Sequence, residues 1–187
     1  MAQQFTLNFW SGSEVVANIQ ELASIYTEVY AEPPYNSGPL WSAQSFTART
    51  VRQTARDGFS FVAAQQDGEL AGFSFGLTFG KGKWWSGTAS QPPEGILNAE
   101  KFAVIELVVR KDWRGSGIGR SLLRQLLAGR SEEYAILTAV PEAPARKIYS
   151  RWGWLRTGTA HHAPDAPIMD ALLLPLDNVK AASPGLG

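Results

Sequence analysis

An α/β (α+β) fold with about seven strands and about four helices is predicted for this 187-residue chain by three observations. Short apolar runs rich in β-branched and aromatic residues recur along it, among them FSFVAAQ at 59–65 and YAILTAV at 134–140. Between such runs lie segments whose apolar residues repeat with the helical period. A glycine-rich junction, WRGSGIGR at 113–120, joins the apolar run FAVIELVVR at 102–110 to the helical pattern SLLRQLL at 121–127.

In chain order, residues 4–9 alternate enough for a first strand. Ser13 is placed to cap a helix running to about Tyr30, with Val16, Ile19, Leu22, Ala23 and Tyr26 on its inner stripe. The stretch AEPPYNSGP at 31–39 breaks the chain. A second helix over about 42–56 ends near Asp57-Gly58; strand 59–65, an Asp67-Gly68 turn and strand 70–79 then form an antiparallel hairpin. Residues 80–100, which include Trp84, Trp85, Pro92 and Pro93, are too long for a plain turn and are therefore functional or mobile. Strand 102–109, the glycine junction and its helix, strand 134–140, helix 142–152, strand 154–159 and strand 168–176 complete the order β-α-α-β-β-β-α-β-α-β-β. One domain over residues 1–179, with a flexible tail at 180–187, is expected.

The junction has a chemical meaning. Run 102–109 is almost unbroken by polar groups, as in a strand covered on both faces. Beyond the glycines, Ile118, Leu122, Leu123, Leu126 and Leu127 form one apolar helical stripe. The first amides of such a helix lack internal partners and carry the positive end of its dipole, while glycine lets a ligand approach the backbone. The expected ligand is a phosphate. The spacing does not give the G-x-G-x-x-G of dinucleotide folds, and no Gly-Lys-Ser/Thr of a P-loop is present. What is present is R-x-x-G-x-G, Arg114 through Gly119.

Here the chain resembles the GNAT acetyltransferase superfamily, whose acetyl-CoA pyrophosphate loop has this form between a central strand and a helix. The predicted element order is similar to that fold over nearly the whole chain, which implies a mixed central sheet. A second motif, ARKIYSRWGW at 145–154, resembles the signature that closes the family's late helix. Gly153 is readable there as a helix C′ glycine with Trp154 returning to the sheet. The chain departs from the family at Glu142, where asparagine often contacts the pantetheine arm; a carboxylate there can accept a hydrogen bond from an amide but cannot donate one, and CoA binding is expected to survive the change.

The resemblance implies specific roles. Backbone amides of Arg114, Gly115, Ser116, Gly117, Ile118, Gly119 and Arg120 would hold the pyrophosphate. The backbone of Leu107, Val108 and Val109 would bond the pantetheine arm like an added strand, with the Val108 N–H polarising the thioester carbonyl. Tyr149 would protonate the departing thiolate, its ordinary pKa of about 10 keeping it a donor at neutral pH, although a core tyrosine is also common at such positions.

Acetyl transfer to an amine needs the neutral amine, so a base is required. Glu106 is the one acid inside the apolar strand, where burying a carboxylate is costly and raises its pKa toward the useful range. Either it is that base, directly or through water, or it pairs with an arginine or faces solvent at a bulge. Some family members carry the acid one residue earlier, where this chain has Ile105. Tyr35, in the turn where this fold shapes the acceptor mouth, and Trp84 and Trp85 are candidate substrate contacts. The adjacent His161 and His162 diverge without an evident third ligand, and no metal is required.

Composition narrows the partners. Lys plus Arg and Asp plus Glu both number 17, so the net charge is zero and no global field recruits nucleic acid or an anionic membrane. The absence of cysteine removes disulfides, thiolate metal sites and a cysteine nucleophile. The start MAQQFT has neither a basic nor an apolar leader pattern, and no run approaches bilayer-spanning length, so a cytoplasmic protein, monomer or homodimer, is expected. The implied function is acetyl transfer from acetyl-CoA to the primary amine of a small molecule in a ternary complex. Acetylation of a protein N-terminus or lysine is an alternative within the enzyme class. A non-catalytic acyl-CoA-binding module is another, which would need the loop but neither Glu106 nor Tyr149.

Overall fold

The computed structural model describes residues 5–176; the expected tail at 180–187 and the start of the first predicted strand at Gln4 lie outside them. In chain order the elements are β1 (Thr6–Trp10), α1 (Gly12–Ala17), α2 (Ile19–Tyr30), α3 (Ala43–Gln53), β2 (Ser60–Gln66), β3 (Glu69–Phe79), β4 (Thr88–Ala89) and α4 (Glu94–Leu97). There follow β5 (Lys101–Val109), α5 (Ile118–Leu127), β6 (Tyr134–Ala139), α6 (Pro144–Arg151), β7 (Leu155–His161) and β8 (Met169–Pro175). The seven predicted strands are all present, and β4 adds a short eighth. Two units form: Met1–Leu77 with Val104–Leu126, and Thr78–Ala103 with Leu127–Gly187.

In the first unit the strand order is β1-β2-β3-β5. The Asp67-Gly68 hairpin is as expected. Both residues have positive φ, +54° and +82°, the backbone of a type I′ turn whose twist suits two antiparallel strands. Gly72 in β3 is needed for a different reason: a Cβ there would stand 2.4 Å from the Val108 carbonyl oxygen of β5. The core is aromatic. Phe61 stacks on Phe73 at 5.4 Å and on Phe75 at 5.7 Å, while Tyr26 stacks on Phe46 at 4.2 Å. Each ring buried in this way contributes about 2–3 kcal/mol of hydrophobic stabilisation.

The first helix departs from expectation. Its cap is Ser11 rather than Ser13: the Ser11 hydroxyl accepts from Glu14 N at 3.3 Å and the Glu14 carboxylate accepts from Ser11 N at 2.7 Å, a reciprocal capping box. Nor is it continuous. It parts at Asn18, whose side-chain amide donates to Glu14 O at 2.8 Å and competes with the helical ladder. The second predicted helix starts where expected, with Ser42 accepting from Ser45 N at 3.1 Å, but ends at Gln53 rather than near Arg56.

In the second unit the order is β5-β6-β8-β7-β4. Lys101, Phe102 and Ala103 of β5 lie parallel to Tyr134, Ala135 and Ile136 of β6, whereas β6–β8, β8–β7 and β7–β4 are antiparallel. The pairing is therefore mixed. The long connection at 80–100 is pinned from both ends. β4 pairs with β7, and the buried Lys101 ammonium donates to the carbonyls of Ile96, Leu97 and Ala99 at 3.2, 2.9 and 2.6 Å, capping α4. Those three bonds use all three donors of the ammonium, which makes burial of its charge tolerable. At the end of α6, Gly153 (φ +90°) is the C′ glycine anticipated from the sequence. Gly153 N donates to Ser150 O and Trp154 N to Tyr149 O, a Schellman pair.

Candidate active site

The glycine junction opens α5 at Ile118, as the residue pattern predicts, and the stripe Ile118, Leu122, Leu123, Leu126 and Leu127 is its buried face. Gly115 and Gly117 have φ of +79° and +88°, and a Cβ at either would meet nothing within 4 Å. They are needed for the backbone turn, and the space above them is open. Helical bonding starts with Ser121 N donating to Gly117 O at 3.0 Å, so the amides just before it stand at the positive end of the helix. This arrangement fits an anionic phosphate.

Arg114 has a more specific place than its motif indicates. Its guanidinium forks onto Glu32, 2.9 Å from Nη1 to Oε2 and 2.8 Å from Nη2 to Oε1, and its Nε donates to Val109 O at 3.0 Å. Its own N–H donates to Lys111 O at 3.2 Å. The bond from Arg114 holds the Glu32 carboxyl below its ordinary range, against the opposing effect of burial. Arg114 therefore ties the end of β5 to the turn that follows α2.

Along β5 burial alternates. Val104, Glu106 and Val108 are buried, whereas Ile105, Leu107 and Val109 are half-buried. Ile105 thus takes the opposite face from Glu106, as a regular strand requires. Glu106 is 9 % exposed. Its Oε2 accepts a hydrogen bond from the Tyr30 hydroxyl at 2.9 Å, and its Oε1 stands 3.8 Å from Nη2 of Arg49. The Arg49 guanidinium is held in turn by donation to Leu40 O at 2.9 Å and to the Tyr26 hydroxyl at 3.2 Å. The backbone carbonyl of Glu106 accepts from Ser74 Oγ at 2.8 Å. Burial pushes the carboxyl up to about 7, with the Arg49 charge and the Tyr30 hydrogen bond acting against it. A carboxyl so tuned can exchange a proton near neutrality.

Of the sequence alternatives for Glu106, an arginine does face it, at 3.8 Å, and the residue is buried rather than turned to solvent. Tyr26, Tyr30, Glu32 and Arg49 were not singled out from the sequence as site residues. A signal for three of them exists: Tyr26 and Tyr30 are four apart on α2, and Arg49 shares the Phe46–Thr50 face of α3, so each is carried to the inner side by helical period. Tyr35 packs edge-on to Tyr30 at 4.7 Å and to Trp41 at 5.1 Å, and burial pushes its hydroxyl up to about 12.

The remaining candidates belong to the other unit. Tyr149, on α6, is buried, with its ring edge-on to Trp152 at 6.1 Å and Trp154 at 5.9 Å. Trp84 Nε1 donates to Ser90 O at 3.0 Å. Trp85 meets Phe79 and His162 edge-on at 5.2 and 5.7 Å, and its Nε1 has no hydrogen-bond partner among the described residues. The two histidines point to separate partners, His161 to Ala166 O at 2.9 Å and His162 to Thr138 Oγ1 at 3.0 Å. Among the described residues, no group of three or more His, Asp or Glu is disposed to hold a metal. Nor is any helix there long and apolar enough to cross a membrane.

Solved structures share this architecture. PaiA N-acetyltransferase from Thermoplasma acidophilum, in complex with coenzyme A, superposes with a TM-score of 0.60 at 12 % identity, covering 92 % of this chain and 99 % of its own. YncA from Salmonella typhimurium, with its cofactor acetyl-CoA, gives 0.62 at 15 % identity over 93 % and 95 % of the two chains. An aminoglycoside acetyltransferase from an uncultured soil metagenomic sample gives 0.59 at 20 % identity over 88 % and 99 %. At such identities the likeness concerns the fold alone. No curated protein matches the sequence. The sequence model of the Acetyltransferase (GNAT) family, however, matches residues 19–154. That match takes in well over half of the chain, from α2 through both glycine motifs, and the protein therefore belongs to the GNAT acetyltransferase family of acyltransferases.

Proposed function

We propose that the protein is an N-acetyltransferase that moves an acetyl group from acetyl-CoA to the primary amine of a small molecule, by direct attack with both substrates bound. The observation that carries this reading is Glu106, a buried carboxyl pushed up to about 7 within a β-strand that leads into the glycine loop. Acetyl-CoA supplies the acyl group as a thioester. The open backbone at Gly115 and Gly117 and the start of α5 fit its phosphates, with donors drawn from the amides of residues 115–120; the Arg114 amide, also expected to contribute, is instead bonded to Lys111 O. Leu107, Val108 and Val109 would hold the pantetheine arm through their backbone, and the Val108 N–H would polarise the carbonyl to be attacked.

The proton balance assigns the side chains. The amine nitrogen forms the new C–N bond, and its surplus proton goes to Glu106; the C–S bond breaks, and the sulfur takes a proton from the Tyr149 hydroxyl. Tyr149 is given that role by the family signature at 145–154. Tyr35, Trp84 and Trp85 are assigned to the acceptor. A small acceptor accords with the aminoglycoside acetyltransferase that shares the fold. Residues 1–179 are read as one catalytic domain, because the family match runs through both units, working in the cytoplasm as a monomer or homodimer.

The test is a panel of amines assayed for acetyl-CoA-dependent thiol release, run on the parent, Glu106→Gln and Tyr149→Phe. For the best acceptor, each variant should lose about 10²-fold in turnover while keeping its affinity for CoA. In Glu106→Gln the residual rate should also keep climbing toward the amine pKa, where the parent has levelled. Parental rates in both variants would leave those residues structural and the chemistry dependent on positioning alone.

A further inference from the structure

We propose that Tyr30 and Arg49 are positioning residues for Glu106, dividing its carboxylate so that Oε2 is anchored and Oε1 is the oxygen that takes the proton from the acceptor amine. The inference rests on the reading of Glu106 as the base and goes beyond it, since neither residue belongs to a family motif identified in the chain. The division is geometric. Tyr30 donates to Oε2 at 2.9 Å, a full hydrogen bond, whereas the nearest cation, Nη2 of Arg49, stands 3.8 Å from Oε1, too far to be one. Among the described residues no donor bonds Oε1, so that oxygen keeps its lone pairs available while remaining in the field of a positive charge.

Other contacts hold Arg49 at this distance. Its two terminal nitrogens are committed, one to Leu40 O at 2.9 Å and one to the Tyr26 hydroxyl at 3.2 Å. Tyr26 is in turn stacked between Tyr30, at 4.4 Å, and Phe46, at 4.2 Å, so the tyrosine that anchors Glu106 and the one that anchors Arg49 pack against each other. A cation held just out of contact keeps the carboxylate accessible as a base. At hydrogen-bond distance the charge-assisted bond would favour the ionised carboxylate more strongly and make it a weaker base.

α2 brings Tyr26 and Tyr30, α3 brings Arg49, and the turn after α2 brings Tyr35, whose hydroxyl also feels the Glu32–Arg114 pair; β3 brings only the Ser74 hydroxyl, to the Glu106 backbone. The tyrosine hydroxyls are all pushed above their ordinary value, burial being the largest cause, so they stay neutral across the working range. Among the described residues, Arg49 is then the only cation that faces Glu106, and Tyr30 the only donor to its carboxylate.

The experiment is the pH profile of kcat/KM for the parent, Tyr30→Phe, Arg49→Met, Arg49→Lys and Glu106→Gln, with the best acceptor from the amine panel. Both groups favour the ionised carboxylate, so removing either should raise the midpoint of the acid limb, by about half a pH unit or more. Arg49→Lys should fall between Arg49→Met and the parent. kcat should drop more than acceptor KM changes, with CoA affinity unaltered. Direct titration of the Glu106 carboxyl by difference infrared spectroscopy against Glu106→Gln gives the same midpoints without turnover. If the midpoints of Tyr30→Phe and Arg49→Met match the parent or move down, the positioning proposal fails while the base stands. An acid limb that keeps the parent's midpoint in Glu106→Gln, rather than moving up toward the amine pKa, overturns the base itself. Should Arg49→Met not fold, Tyr30→Phe and Arg49→Lys decide the question alone.

Discussion

Glu106 on β5 and Asp170 on β8 are both buried carboxylates faced by arginine, and they are driven in opposite directions. Burial acts to raise both. At Asp170 the bonds from Arg156 and Arg146, each 2.7 Å from Nε to a separate carboxylate oxygen, overturn it and hold the group below its ordinary 3.8. At Glu106 the arginine stands 3.8 Å away and the one direct bond comes from a neutral phenol, so burial wins and the group is pushed up to about 7. An arginine in the neighbourhood therefore says little; contact distance and the count of charged bonds decide the sign. Asp170 is suited to fastening α6 and β7 to β8, and Glu106 to exchanging a proton.

The largest expected effect in that comparison is the loss of the fastening. Asp170→Ala leaves two guanidiniums facing each other across the vacated site, which should cost about 3 kcal/mol, the lower end for broken buried pairs because Arg156 can turn to water. Chemical denaturation of parent and variant measures it. A loss below about 1 kcal/mol would put Asp170 among ordinary surface ion pairs.

Next in size is the pH dependence that Glu106 imposes on stability. Its native pKa lies above its ordinary value of 4.5, so the folded state keeps a proton that the unfolded chain releases. That contribution is complete below about pH 4.5 and is lost as pH rises through about 7. Asp170 has the reverse sign: its contribution is present above 3.8 and disappears as pH falls through its lowered native value. Glu106→Gln should therefore gain about 2 kcal/mol relative to the parent between pH 5 and pH 8, read from unfolding at both. Parallel curves for the two proteins would mean that the Glu106 carboxyl titrates normally.

The smallest effect concerns a third carboxylate. Glu32 is half-exposed and forks onto Arg114, which holds its pKa down. Glu32→Gln should leave stability within about 0.5 kcal/mol of the parent, as exposed pairs do. Removing a negative charge beside the glycine loop should tighten CoA binding by about two- to fivefold, checked by calorimetry at low and high salt. Weaker binding in the variant would show instead that the fork positions the loop.

How far the sequence carried the site depends on the range of each interaction. The loop was legible because φ at Gly115 and Gly117, the start of α5 and its apolar stripe are properties of adjacent residues. The Asp67-Gly68 turn and the Schellman end at Gly153 were legible for the same reason. Where two local signals competed, the reading slipped: Ser11 and Ser13 are both capping residues, and only Ser11 has Glu14 three positions on to complete the box. The break at Asn18 depends on its side chain choosing a backbone carbonyl over water, a choice composition does not reveal.

By itself the sequence determined that a carboxylate would stand inside an apolar strand just ahead of a glycine loop that opens a helix, since alternation and glycine geometry are written in consecutive residues. What surrounds that carboxylate was decided only by tertiary structure. Tyr30 is 76 positions from Glu106 in the chain, and Arg49 reaches it from another helix. Whether the guanidinium would stop at 2.7 Å, as at Asp170, or at 3.8 Å depends on Leu40 and Tyr26 holding it back. The physical reason is that a pKa near 7 is a small difference between a desolvation cost and the field of a few groups, each falling steeply with distance, and those distances exist only once the helices have packed.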